Sequence, residues 1–136
     1  MKTITKEQFD EFVRGYITAA LWSTHGDDGE FLDQDYDRDD LTETAKIKMR
    51  AHCQDFVDAQ ETDLLAYAVE MEHVRHRGQG TAWDHAGHDF WFTAGGHGAG
   101  FWDRGLGDLG DRLSEAAGNY NNPHLFVTEE DQIEAE

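Results

Sequence analysis

Apolar residues recur at helical spacing near the start of the chain. Between Lys6 and Ser23 they stand three and four positions apart, as on the buried face of an amphipathic helix. This face consists of Phe9, Phe12, Val13, Tyr16, Ile17, Ala20 and Leu21. Thr5, followed three residues later by Gln8, forms the pattern of a capping box. The sequence therefore predicts a helix over Lys6–Ser23.

A second series of apolar residues keeps a roughly helical period from Asp40 to about His76. Asp40 and Glu43 have the spacing of a capping box, and the glycines at 78 and 80 end the pattern. The segment predicts a second, long amphipathic helix, or two helices broken near Gln60–Asp63.

The helical spacing of the apolar residues ends after residue 80. Two aromatic segments, Phe90–Thr93 and Phe101–Trp102, favour strands and flank the glycine-rich run Gly95–Gly100. Aromatic segments on either side of such a loop are typical of a β-hairpin. Some of these side chains would face away from the core, so Trp91 and Trp102 are candidates for a partner-binding surface. The competing interpretation is that helices cover both faces of the hairpin.

The remaining elements complete an α+β prediction. A third helix is expected from Leu106 or Asp108 to Asn119, and a short strand from His124 to Val127. The fold class is therefore α+β, with two amphipathic N-terminal helices followed by a β-hairpin, a third helix and a short C-terminal strand. We expect one domain over residues 1–128 and an acidic C-terminal tail over 129–136.

Acidic residues dominate the composition. The 136 residues include 29 Asp and Glu against 11 Lys and Arg, a formal net charge of −18. Most of this charge lies in segments 25–44 and 105–136. Such a charge disfavours direct binding to nucleic acid or to an anionic membrane and favours a partner with a basic surface. The candidate partner-binding residues in the first segment are Asp33, Asp35, Asp37, Asp39 and Asp40. A solvated loop that serves solubility alone is the competing interpretation.

The number of cysteines and the hydropathy of the chain exclude several classes of protein. Cys53 is the only cysteine, so neither an intramolecular disulfide nor a cysteine-based zinc site can form. No continuous apolar stretch resembles a secretory signal or a membrane span. The expected compartment is the cytosol.

Histidines form the densest group of candidate metal ligands. His73 and His76 form one pair at i, i+3 spacing, and His85 and His88 form another. Glycines separate the pairs, and no HExxH signature is present. We therefore expect no cofactor and no stoichiometric metal. If a metal binds, the candidate ligands are His85, His88, Asp89 and His97.

The second half of the chain carries a family resemblance. The run HDFWFTAGGHGAGFWDRG over 88–105, followed by LGDLGDRLSEAA, resembles a family of small proteins encoded by tailed bacteriophages. FVRGYITAALW and LDQDYDRDDL in the first half are similar to that family as well. At its end the chain has Val127–Asp131 in place of the family's Gly-Asp-Asp-Gly hairpin. The resemblance implies a viral accessory protein in the host cytoplasm and supplies no catalytic residue.

Three hypotheses of function follow. The first is a viral protein that binds a basic protein surface through its acidic residues, as a mimic of DNA phosphates. The second is a metal-dependent enzyme or metal-stabilised module built on His73–His97. The third is a virion or assembly component, which homo-oligomerisation through the aromatic hairpin would favour. The absence of a catalytic signature in the sequence makes a non-enzymatic function the expected one.

Overall fold

The computed structural model describes residues 3–74, 80–96, 100–101 and 105–136, without the side chains at 73 and 74. Within these ranges the chain forms five α-helices, two short 3₁₀ turns and two strands. The helices are α1 (Lys6–Ser23), α2 (Glu43–Ala59), α3 (Glu61–Val74), α4 (Ala82–Ala94) and α5 (Asp108–Gly118). The 3₁₀ turns are Leu32–Gln34 and Arg38–Asp40, and the strands are β1 (Leu125–Val127) and β2 (Ile133–Ala135).

The first helix has the predicted bounds, and its capping box is confirmed. The Thr5 hydroxyl accepts a hydrogen bond from the Gln8 N–H at 3.1 Å, and the Gln8 side chain accepts one from the Thr5 N–H at 3.0 Å. The start predicted for the second helix is wrong, because Thr42 rather than Asp40 caps α2. The helical segment is divided at Gln60 between α2 and α3.

The predicted β-hairpin is wrong. Phe90–Thr93 lies inside α4, which begins at a capping box between Thr81 and Asp84. Five of the eight buried residues of α4 recur at helical spacing, namely Trp83, Ala86, Gly87, Phe90 and Trp91. Packing against α1 outweighs the strand preference of the aromatic residues, which is a preference for a half-buried surface rather than for one backbone conformation.

The described part of the chain is thus mainly helical, with one small antiparallel sheet. Helix α5 lies where the third helix was predicted. The C-terminal strand does not pair with a hairpin at 90–102, but with β2 in the register Leu125↔Ala135 and Val127↔Ile133. Residues 129–136, for which an acidic tail was expected, contain a turn and this second strand.

Helices α1 and α4 cross at unusually short range. A Cβ atom built on Gly15 would lie 2.0 Å from the carbonyl oxygen of Asp84, and one built on Gly87 would lie 1.9 Å from that of Phe12. Both positions therefore exclude any side chain. The two glycines let the helix backbones touch, and the aromatic residues beside them form the core.

An aromatic cluster fills the centre of the core. The rings of Phe56 and Phe90 stack with centroids 4.1 Å apart, and Phe12 and Tyr16 pack on the other sides of Phe90 at 5.9 and 5.6 Å. All four side chains are inaccessible to solvent. Each such ring buries about 150–250 Å², so the cluster is a large contribution to the core.

None of the described helices is both long and apolar enough to cross a membrane.

Candidate functional site

The acidic segment after α1 is held by hydrogen bonds. His25 and Phe31 form an antiparallel bridge, and the Gly26 N–H donates to the Glu30 carbonyl at 2.8 Å. Leu32, with 2% of its surface exposed, anchors the segment in the core. The segment is therefore an ordered loop, which we call the acidic loop and define as residues 25–41.

Aspartates cap the second 3₁₀ turn of the acidic loop. The Asp37 carboxylate accepts from the Asp39 N–H at 2.9 Å, and the Asp40 carboxylate accepts from the Asp37 N–H at 2.9 Å. Asp33, Asp35, Asp37 and Asp39 are exposed and Asp40 is half-buried. The backbone of this turn is thus ordered in part by two of its aspartates, because the side chains of Asp37 and Asp40 satisfy its N–H groups.

Tyr36 joins the acidic loop to the C-terminal hairpin. Its hydroxyl donates to the Asp131 carboxylate at 2.5 Å across 95 positions of sequence. This hydrogen bond raises the pKa of Tyr36 to about 12. Leu41 forms a parallel bridge with Ile133, and the Thr42 N–H donates to the Ile133 carbonyl at 2.9 Å. These contacts place the turn at 129–131 beside the acidic loop.

The hairpin turn itself is rich in acidic residues. The Thr128 N–H donates to the Gln132 carbonyl at 2.7 Å, and Asp131 takes the left-handed conformation with φ of 63°. Aspartate is one of the few residues other than glycine that tolerate this conformation. The turn closes without the glycines that the resemblance leads one to expect. Glu129, Glu130 and Asp131 are exposed.

We call the acidic loop together with residues 129–131 the acidic face. Ion pairs in the described part of the chain join Arg14 to Asp84, Lys46 to Glu43, Arg50 to Asp10 and Arg112 to Asp63. None of these pairs involves a carboxylate of the acidic face. Within the described ranges, a cationic partner can therefore bind these carboxylates without breaking any of these ion pairs.

Tyr36 and Asp131 are the residues of this site that the sequence analysis missed. Their hydrogen bond joins residues 95 positions apart, and no local pattern indicates it.

One of the two tryptophans predicted for an aromatic partner-binding surface is buried. Trp91 is buried in α4 with 4% of its surface exposed, and its indole N–H donates to the Ser23 hydroxyl at 2.8 Å. Trp102 lies outside the described residues. An aromatic residue that is exposed is Trp22, at 56%, packed edge-on against Phe92.

The candidate metal ligands do not converge in the described part of the chain. His85 and His88 lie on α4 and line a cleft of about 400 Å³ with Arg14. Asp89 is fully buried elsewhere on the helix and accepts from the Tyr67 hydroxyl at 2.6 Å. His97 and His76 lie outside the described residues, as does the side chain of His73. Among the described residues no group of three His, Cys, Asp or Glu side chains could hold a metal ion.

Arg14 binds the carboxylate of Asp84, which lines the same cleft as the two histidines. Its guanidinium binds Asp84 through two hydrogen bonds of 2.9 and 2.7 Å. Burial alone would raise the pKa of Asp84, but the hydrogen bonds from Arg14 and from the Thr81 backbone hold this pKa below its usual value. Asp84 therefore stabilises the contact between α1 and α4.

Comparisons with protein-family models, with curated proteins and with solved structures found no match to this chain. The class of the protein is accordingly defined by its own features: a mainly helical fold that presents an ordered acidic face.

Proposed function

We propose that this protein is a phage accessory protein that acts in the host cytoplasm by binding a basic protein surface. The partner is a host or viral nucleic-acid-binding protein, and the carboxylates of the acidic face take the place of nucleic-acid phosphates. The phage origin is supported by the resemblance over residues 88–105 described above.

The observation that carries the proposal is the hydrogen bond between Tyr36 and Asp131. A mimic of nucleic acid has to hold its carboxylates at fixed separations, which a loose loop and a loose tail would do poorly. The Tyr36 hydrogen bond and the Leu41–Ile133 bridge fasten the two acidic segments to each other. The face is thus ordered before binding, which lowers the entropic cost of association.

The charge distribution supports the same proposal. Clustered carboxylates, with Arg38 as the one Lys or Arg among them, create a directional negative field that steers a basic partner to the face. This field acts over roughly 8 Å at physiological ionic strength. Association should therefore weaken steeply with added salt, mainly through the on-rate.

The test is capture from bacterial lysate followed by competition with DNA. We expect the immobilised protein to retain a basic nucleic-acid-binding protein and double-stranded DNA to release it. The variant with Asp33, Asp35, Asp37 and Asp39 all replaced by Asn should lose that partner at moderate salt.

A matched variant has the same net charge as the variant with four Asn residues in the acidic loop, but leaves the acidic face intact. It carries Gln or Asn at four exposed acidic positions on α1, α3 and α5, namely Glu7, Glu70, Asp111 and Glu115. We expect it to retain the partner. If the first variant is folded and binds every partner as before, the acidic loop is not the binding surface. Capture of a phage structural protein that DNA does not release would favour the assembly hypothesis instead.

A further inference from the structure

A small cleft opens in the acidic face between the acidic loop and the end of β1. It has a volume of about 280 Å³. The lining residues that matter here are Asp28, Glu30, Phe31, Asp35, Tyr36 and Val127. Pockets for small-molecule ligands and cofactors measure about 300–1,000 Å³, so this cleft suits a single long side chain.

Apolar groups form one part of the lining and are fixed in place. The Phe31 ring is 40% exposed and stacks on His25 with centroids 4.1 Å apart. The hydroxyl of Tyr36 is held by Asp131, and Val127 is held in the strand pair. An exposed phenylalanine ring is unfavourable in water, so covering it contributes to the binding of any apolar stem.

Carboxylates form the other part of the lining. Glu30 and Asp35 are exposed and take part in no ion pair within the described ranges. Asp28 accepts a hydrogen bond from the Glu30 N–H at 3.0 Å, which fixes the turn that carries Glu30. The cleft therefore combines apolar walls with two available anionic groups.

We propose that this cleft receives one arginine side chain of the basic partner. The inference rests on the proposed function and specifies how the acidic face recognises its partner. The aliphatic stem of the arginine packs on Phe31 and Val127, and the guanidinium binds Glu30 and Asp35. A planar guanidinium can stack on an aromatic ring while it donates to carboxylates, whereas the compact, strongly hydrated ammonium of lysine matches such a site less well.

The experiment measures binding of two synthetic peptides, hexa-arginine and hexa-lysine, by NMR titration of the folded protein. The two peptides carry the same charge, so the general negative field attracts them equally. We expect the wild type to bind hexa-arginine roughly tenfold more tightly, because a guanidinium can donate two parallel hydrogen bonds to a carboxylate and stack on Phe31, whereas an ammonium binds as a point charge. The backbone signals of residues 28–36 and 127–128 should shift most.

Two charge-matched variants decide whether the cleft is the site. Glu30→Gln with Asp35→Asn removes the carboxylates of the cleft, while Asp33→Asn with Asp39→Asn removes two exposed carboxylates outside it. We expect the first pair alone to abolish the preference for arginine, and Phe31→Ala to reduce it. Equal effects of both pairs would overturn the arginine site and leave the proposed function standing. If neither peptide binds the wild type, both proposals fail.

Discussion

At the scale of single residues, His52 is a partly buried base inside the aromatic core. Its Nδ1 lies 2.6 Å from the Tyr16 hydroxyl, and its ring packs on Phe90 and Tyr120 at 5.1 and 5.4 Å. Burial lowers the pKa of His52 below its ordinary value near 6.5. A neutral ring can accept the Tyr16 O–H at Nδ1, whereas a protonated ring cannot.

This environment predicts a loss of stability in mild acid. As the pH falls, the unfolded chain takes up a proton near pH 6.5, before the folded chain does, so the contribution of His52 is complete above that pH and decreases below it. Urea unfolding between pH 7.5 and 5.5 should show the decrease, and His52→Asn should flatten it because the amide stays neutral. His124→Asn, at an exposed position, should keep the wild-type slope. If the unfolding free energy of His52→Asn falls with pH as steeply as that of the wild type, His52 is not the cause of the acid sensitivity.

Tyr36 provides a second prediction, on the contact that joins the acidic segments. Its pKa of about 12 has the Asp131 carboxylate as its main cause. Asp131→Asn keeps a residue that tolerates the left-handed conformation and removes the charge. An NMR titration of the tyrosine rings should then show the pKa of Tyr36 closer to 10.

Tyr120 serves as the internal control for this titration. Burial, followed by a hydrogen bond of 2.7 Å to Asp55, raises its pKa to about 12 as well. Asp131→Asn should leave the titration of Tyr120 unchanged, and Asp55→Asn should alter Tyr120 alone. If the pKa of Tyr36 stays near 12 without the Asp131 charge, the two acidic segments are not joined as described.

At the scale of elements, the α1–α4 crossing makes a clear prediction. Gly87→Ala would place a methyl group 1.9 Å from the Phe12 carbonyl oxygen, a contact that the helices can relieve only by moving apart. We expect a loss of about 1–3 kcal/mol or more in the free energy of unfolding, as for other overpacked cores. Guanidinium unfolding measures it.

Gly118→Ala is the matched control, because nothing lies within 4 Å of a Cβ at the end of α5. Alanine is the better helix former, so this variant should be as stable as the wild type or more stable by up to about 1 kcal/mol. A Gly87→Ala protein as stable as Gly118→Ala would show that the helices are farther apart than the structure places them.

The same elements show what the sequence could predict. Helices α1 and α5 combine an amphipathic period with clear starts or stops, and local signals suffice for them. Helix α4 was missed because Phe90–Phe92 favours a strand by composition. Thr81 and Asp84 at capping-box spacing, together with the period from Trp83 to Phe90, were available signals. The close approach of α4 to α1 at Gly87 favours the helical conformation. It depends on residues far away in sequence, so the sequence around Gly87 does not predict it.

At the scale of the whole molecule, the acidic face combines predictable and unpredictable parts. The aspartates at 33, 35, 37 and 39 and their exposure follow from composition and alternation. Their position relative to the turn at 129–131 does not, because it depends on Tyr36 with Asp131 and on Leu41 with Ile133, more than 90 positions away in each case. The charge pattern of a sequence indicates which segments carry the negative electrostatic potential. Tertiary contacts decide whether the carboxylates in those segments are held in fixed positions.

The net charge of −18 also acts on the fold itself. Repulsion within the acidic face opposes compaction, and none of the four ion pairs in the described part of the chain neutralises a carboxylate of that face. Salt shortens the screening length from roughly 30 Å at 0.01 M to 10 Å at 0.1 M. We therefore expect the melting temperature to rise with sodium chloride over this range.

The variant with Asn at 33, 35, 37 and 39 tests where this repulsion originates. It should melt above the wild type at 0.01 M salt and respond less to added salt, because four clustered charges are gone. The variant altered at Glu7, Glu70, Asp111 and Glu115 removes the same charge from dispersed positions and should show a smaller effect. Equal melting curves for the two variants would mean that total charge rather than its clustering matters. The acidic loop would then impose no greater cost on folding than the same number of dispersed charges.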